Sequence, residues 1–241
     1  MIYGRNNLLF AKIKDWFHNY WYYYKWRVII LSAFLLIGGI CIAQCSSKED
    51  YDVSILYTGP HIFEMGEKNS IASSFRQLMD RDYNNDGKKV IDFIDLPAFS
   101  DDEIREAIGE DPDDKTLVKY AQYTLVSVQP SFAQIASKGD VSICLLDEYW
   151  YKILLDAGHL LDLESALGYK PNCLIDDYSA YLSDLPVYTY FSESIGKLPE
   201  DTIICFRKMS VTSAITGKKQ AERMYSYSKE LLKAIFQFGS T

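Results

Sequence analysis

The chain is short of the residues that catalysis and metal binding use most. Its 241 residues include three histidines, His18, His61 and His159, none at the spacing of paired metal ligands. The five cysteines form no Cys-x-x-Cys pair, which excludes zinc modules of that type, and they are too few for a disulfide scaffold. Cys144 and Cys205 sit inside apolar runs, where a thiol is a small inert hydrophobe, and Cys173 has no histidine near it in sequence. There is no nucleophile-elbow motif, no phosphate-binding glycine loop and no paired-carboxylate motif that the surplus of acids does not already explain. These absences point away from an enzyme. Beyond the N-terminus there is no run of Lys or Arg, and the net charge is −8, which excludes nucleic acid as a partner.

What is present is an ordinary globular composition, 48% apolar and 15% aromatic, with its charge unevenly spread. Residues 1–27 carry Arg5, Lys12, Lys14, Lys25 and Arg27 against Asp15, a net of +4, which leaves −12 for the rest. Between the two lies Val28–Ala43, sixteen residues without a charge. With its flanks it makes a span of 20, residues 26–45, about the length a membrane-crossing helix needs. Trp16, Phe17, Tyr20 to Tyr24 and Trp26 sit where an interfacial aromatic belt belongs. The positive-inside rule puts residues 1–25 in the cytoplasm and residues 46–241 outside, with the anchor an uncleaved single-pass helix. Leu8 to Trp21 has helical spacing, read either as an amphipathic helix on the inner leaflet or as a juxtamembrane extension of the anchor helix. A lipoprotein is the rival reading, because Ile42-Ala43-Gln44-Cys45 approaches a lipobox, but bulky Gln44 stands where a small residue belongs.

The outer segment alternates strands and helices. Tyr51–Tyr57, Lys89–Asp95, Val141–Leu146 and Thr202–Arg207 read as strands. Helices are expected over Asn69–Asp80, from about Lys115 to Val128, from Pro130 to Ser137, from Tyr149 to Gly158, and over Lys218–Phe238. The acid-crowded stretch from Asp101 to Asp114 reads as solvated surface, and residues 168–199 have no clear period. The expected fold is α/β, with a mainly parallel sheet flanked by helices.

Gly139-Asp140-Val-Ser-Ile-Cys-Leu-Leu-Asp147, followed by Leu155, Gly158 and Leu160-Leu161-Asp162-Leu163, resembles the central segment of extracellular solute-binding proteins of the type 2 periplasmic-binding fold. Lys25-Trp26 before the anchor is similar to short membrane-anchored relatives. The resemblance implies a bacterial cell-membrane protein with a truncated second lobe, since only residues 46–241 lie outside. It implies a tethered domain that captures or senses a small ligand. The alternative is a structural or interaction subunit of a membrane protein complex that uses the fold without a ligand.

In an open sheet a ligand sits beyond the carboxyl ends of the parallel strands. Those ends are Tyr57-Thr58-Gly59-Pro60, Asp95-Leu96-Pro97 and Asp147-Glu148-Tyr149-Trp150. Tyr57, Thr58, Asp147, Tyr149 and Trp150 are the candidate site residues, a mixture of aromatic and polar groups suited to a small molecule. Elsewhere, Asp82-Tyr-Asn84-Asn-Asp86-Gly87 matches the first half of a calcium loop, in which alternate oxygens converge on one point. Position twelve is Phe93 where an EF-hand has glutamate, so a full EF-hand is excluded. Two readings stay open: Ca²⁺ held by Asp82, Asn84 and Asp86 in a structural role, or a plain polar turn. No other cofactor is expected.

Overall fold

A computed structural model describes residues 20–40, 51–100, 119, 123–138, 141–209 and 218–239. The basic stretch 1–19, Cys45, the acidic stretch 101–114, most of the helix expected from Lys115, and Gly139–Asp140 lie outside these residues. The chain divides into two units, Met1–Glu49 and Asp50–Thr241.

In the first unit, α1 spans Tyr20–Ile40, and among the described residues it is the one helix long and apolar enough to cross a membrane. Its 21 residues reach about 31 Å at 1.5 Å per residue, the thickness of a hydrocarbon core. Leu31, Phe34 and Leu35 are two-thirds exposed. The described helix already includes Tyr20 to Lys25, ahead of the expected start at Trp26, because the aromatic run Tyr20–Trp26 continues it.

The second unit is a sheet with helices on both faces. Its strands are β1 (Val53–Gly59), β2 (Ile91–Pro97), β3 (Ile143–Leu146), β4 (Leu174–Asp176), β5 (Ser179–Tyr181) and β6 (Ile203–Phe206), in spatial order β2-β1-β3-β6-β5-β4. β2 and β3 pair with β1 in parallel, but β6 runs antiparallel to β3, and β5 and β4 continue antiparallel. The expectation of a mainly parallel sheet is therefore corrected to a mixed one. The reason is visible in β6: all four residues are buried, the pattern of any strand covered on both faces, whichever way it runs. Strands β4 and β5, with three residues each, were too short to show a period within 168–199.

Strand alternation divides the core in two. Tyr57, Ile55, Ile143, Leu145, Ile204 and Phe206 face one layer, packed by α2 (Met65–Leu78), α5 (Leu163–Leu167), α6 (Pro186–Tyr190) and α7 (Lys218–Gln237). Leu56, Cys144, Leu146, Ile203 and Cys205 face the other, packed by α3 (Gln129–Lys138) and α4 (Glu148–Asp156). Ile71 and Phe75 on α2 are fully buried, each removing enough apolar surface to stabilise the fold by about 2 kcal/mol. On α7 the buried set is Leu231, Leu232, Ile235 and Phe236, a stripe at helical spacing that lays this helix on the sheet.

Local signals set the helix ends. The Asp147 carboxylate accepts from Trp150 N at 2.9 Å and caps α4. Gly158, with φ 67°, then turns the chain out of α4, a left-handed conformation that favours glycine. Asp162 caps α5 by accepting from Ser165 N at 2.7 Å, and these N–H groups hold its carboxyl below the usual range.

Candidate functional site

The carboxyl ends of β1, β2 and β3 meet at one edge of the sheet. Tyr57 lies beside Asp95 of β2 and Leu145 of β3 in register, and Asp147 N donates to Thr58 O at 3.2 Å. Antiparallel β6 begins here too, with Ile203 opposite Leu146. Its preceding loop brings Asp201 close enough to act electrostatically on the Tyr57 hydroxyl.

The expected site residues reach this edge but do not form one platform. Tyr57 turns into the α2 layer, where its ring meets Phe63 edge-on at 4.9 Å and its hydroxyl accepts from His61 N at 3.3 Å. Burial pushes its phenol well above the ordinary tyrosine value, and Asp147, Asp95 and Asp201 push it further. The next residue, Thr58, is fully buried and by strand alternation turns to the opposite layer. Trp150 is also in that layer, against Phe132 at 4.7 Å, with half-buried Tyr149 edge-on to it at 5.3 Å. The aromatic rings of Tyr57 and Trp150 thus pack on opposite faces of the sheet. Asp147, between them, is occupied in capping α4.

The same edge holds Asp95, which the sequence reading placed at a strand end without making it a site residue. Asp95 has a side chain only 3% exposed, with Oδ2 2.6 Å from Lys68 Nζ in the first turn of α2. Its Oδ1 has no hydrogen-bond partner, and neither do the buried Thr58 Oγ1 and Trp150 Nε1. Gly59 follows with no room for a side chain, since a Cβ there would stand 2.9 Å from the Tyr57 hydroxyl oxygen. The available signal for Asp95 was its place at the end of the expected strand Lys89–Asp95; only the register could give its neighbours.

At the amino ends of β1 and β2 the loop 82–87 closes on itself. Asp82 Oδ1 accepts from Asn85 N at 2.9 Å, and Asp82 Oδ2 from Gly87 N at 2.6 Å. Asn84 Oδ1 accepts from Asp86 N, and Asp86 Oδ1 from Lys88 N, both at 2.8 Å. The oxygens expected to converge on a cation are turned to the loop's own backbone, as in Asx turns. Its hub is Asp52, fully buried, whose carboxylate accepts from Tyr83 N at 3.0 Å, Asn84 N at 2.9 Å and Val90 N at 2.8 Å. Among the described residues, no group of three or more His, Cys, Asp or Glu is arranged to hold a metal. The sequence could have flagged Asp52 only as an acid beside a β-rich run, with its partners some thirty residues away.

Cys144 and Cys205 face one another across β3 and β6, both fully buried, and burial pushes the Cys205 thiol far up. No family model, curated protein or solved structure matches the chain.

Proposed function

We propose that the chain is a membrane-tethered, solute-binding-like domain that captures or senses a small polar ligand at the carboxyl edge of β1, β2 and β3. One observation carries this reading. Three buried polar atoms, Thr58 Oγ1, Asp95 Oδ1 and Trp150 Nε1, lack hydrogen-bond partners, and all come from the strand ends or the first turn of α4. Folded proteins pair more than about 90% of such groups, and each orphan costs about 1–3 kcal/mol. Asp95 Oδ1 accepts beside Lys68 on the α2 face, while on the other face the Thr58 hydroxyl donates or accepts and Trp150 Nε1 donates. This suits a ligand with polar and charged groups that reaches over the strand ends to both faces.

The tether is α1, with the basic N-terminus in the cytoplasm of a bacterial cell and the sheet domain outside. Protease added to intact cells is expected to remove the domain and spare the N-terminal segment; a mature form beginning at lipidated Cys45 would replace the anchor with a lipoprotein. The second reading, an interaction subunit without a ligand, draws on Ile62 and Met65, 50% and 77% exposed between β1 and α2. Thermal melts of the full chain in detergent, screened against amino acids, short peptides and sugars, separate the two. A stabilising ligand whose effect is lost in Thr58→Val supports capture. A domain that responds to none of these classes overturns it in favour of the interaction subunit.

A further inference from the structure

The amino edge of the sheet carries a second feature, independent of the proposed ligand edge. A groove of about 560 Å³ opens between the last turn of α2 and the start of β2, lined by Arg76, Gln77, Lys88, Lys89 and Val90. Three cations line it, and no acid does. This is a local reversal of sign, because residues 28–241 together carry −12.

Asp80, Asp82, Asp86 and Asp92 are the acids nearest in sequence, and none pairs with these cations: Asp80 is hydrogen-bonded to the Tyr83 side chain and Asp92 accepts from the Ser54 hydroxyl at 3.4 Å. Asp82 and Asp86 accept from backbone N–H groups of their own loop, and Asp52 is spent on Tyr83, Asn84 and Val90. Arg76 donates to the neutral Ser73 hydroxyl at 3.0 Å, and Lys89 Nζ to the Met79 carbonyl at 2.6 Å. Among the described residues none of the three cations forms an ion pair. Their backbone is held on both sides: Lys88 N by Asp86, Val90 N by Asp52, and Asp52 N by the Val90 carbonyl at 2.9 Å. The loop that looks like half a calcium site thus fixes the backbone of the lysines that follow it.

We propose that this groove is a binding site for a phosphate-type anion, with Arg76 and Lys88 as its charged contacts and Gln77 as a neutral donor. Lys89 contributes charge while holding the end of α2. Such an anion is presented by free phosphate or by the phosphate of a lipid headgroup, and in both cases the chemistry is charge-assisted hydrogen bonding to a guanidinium and an ammonium.

The test uses the full chain in a neutral detergent, titrated with inorganic phosphate against sodium chloride of equal ionic strength. Phosphate is expected to raise the melting temperature beyond chloride, and Arg76→Gln or Lys88→Gln to raise the half-saturating concentration about tenfold, the loss of one charge-assisted bond. Lys89 is left intact because its loss would fray α2. The source is read in nanodiscs: if lipid phosphate occupies the groove, phosphatidylglycerol mixed into phosphatidylcholine stabilises the wild type, and the double variant Arg76→Gln/Lys88→Gln loses that gain. If free phosphate is the occupant, lipid composition makes no difference and the titration alone responds. Equal responses to phosphate and chloride, or a double variant that responds like the wild type, overturn the site. Neither result bears on the carboxyl edge, because Thr58, Asp95 and Trp150 are untouched.

Discussion

The two ends of β1 and β2 treat hydrogen bonds in opposite ways. At the amino ends, Asp52 and the loop 82–87 match carboxylate and amide oxygens to backbone N–H groups. At the carboxyl ends, Thr58, Asp95 and Trp150 each bury a polar atom without a partner. The first arrangement lowers the energy of the domain as it stands, and the second raises it unless something else supplies partners. One sheet thus carries a rigidly satisfied rim and an unsatisfied one. A polar group near a strand end is structural or functional according to which rim it joins.

Substitutions at the two rims should differ in sign as well as size. The largest effect is expected from Asp52→Ala, which leaves three backbone donors unpaired in the core and should cost about 3–5 kcal/mol in urea unfolding. A loss under about 1 kcal/mol would remove Asp52 as the hub.

Alkaline titration comes next. Tyr57 has its phenol raised by burial, so as pH climbs past about 10 the unfolded chain releases that proton while the folded domain keeps it. The stability tied to this group is full below about pH 10 and declines above it, by up to ~1.4 kcal/mol per pH unit. Melting curves between neutral and strongly alkaline pH should show a steeper decline for the wild type than for Tyr57→Phe; parallel curves would mean that Tyr57 titrates freely.

Thr58→Val should act the other way, stabilising the ligand-free domain by about 1 kcal/mol, because it replaces an orphaned hydroxyl with a methyl of similar shape. If this variant is destabilised, the hydroxyl has a partner and the two rims are alike. The smallest effect is expected from millimolar Ca²⁺ against chelator. The loop oxygens already accept from backbone N–H groups, so the melting temperature should stay within about 1 °C. A larger rise that Asp82→Ala and Asp86→Ala abolish would restore calcium to the loop.

The sequence announced what is local and left out what depends on distant partners. The strands at Val53, Ile91, Ile143 and Ile203 and the helices at Glu148 and Lys218 are all found close to where alternation and helical spacing put them. Loop 82–87 was legible as a turn because Asn, Asp and Gly act on their own backbone. Strand direction was not legible, since Cys205 opposite Cys144 looks the same in either sense until the register is known. Tyr57 and Trp150 were read as one platform because both follow strand ends; alternation through Tyr57 and the capping turn at Asp147 send their rings to different layers. Asp52 drew no attention, and Asp95 was placed at a strand end but given no role, because their roles exist only through residues brought close by folding.

The placement of β6 has a consequence for the order in which the domain is built. β3, at the middle of the sheet, has β1 on one side and β6 on the other, and β6 is synthesised some sixty residues after β3. Until Ile203–Phe206 emerges, the four-residue run Ile143–Leu146 presents an open, wholly apolar ladder edge to whatever lies nearby. The half of the sheet made first is therefore adhesive during synthesis, and the last fifth of the chain is what closes it.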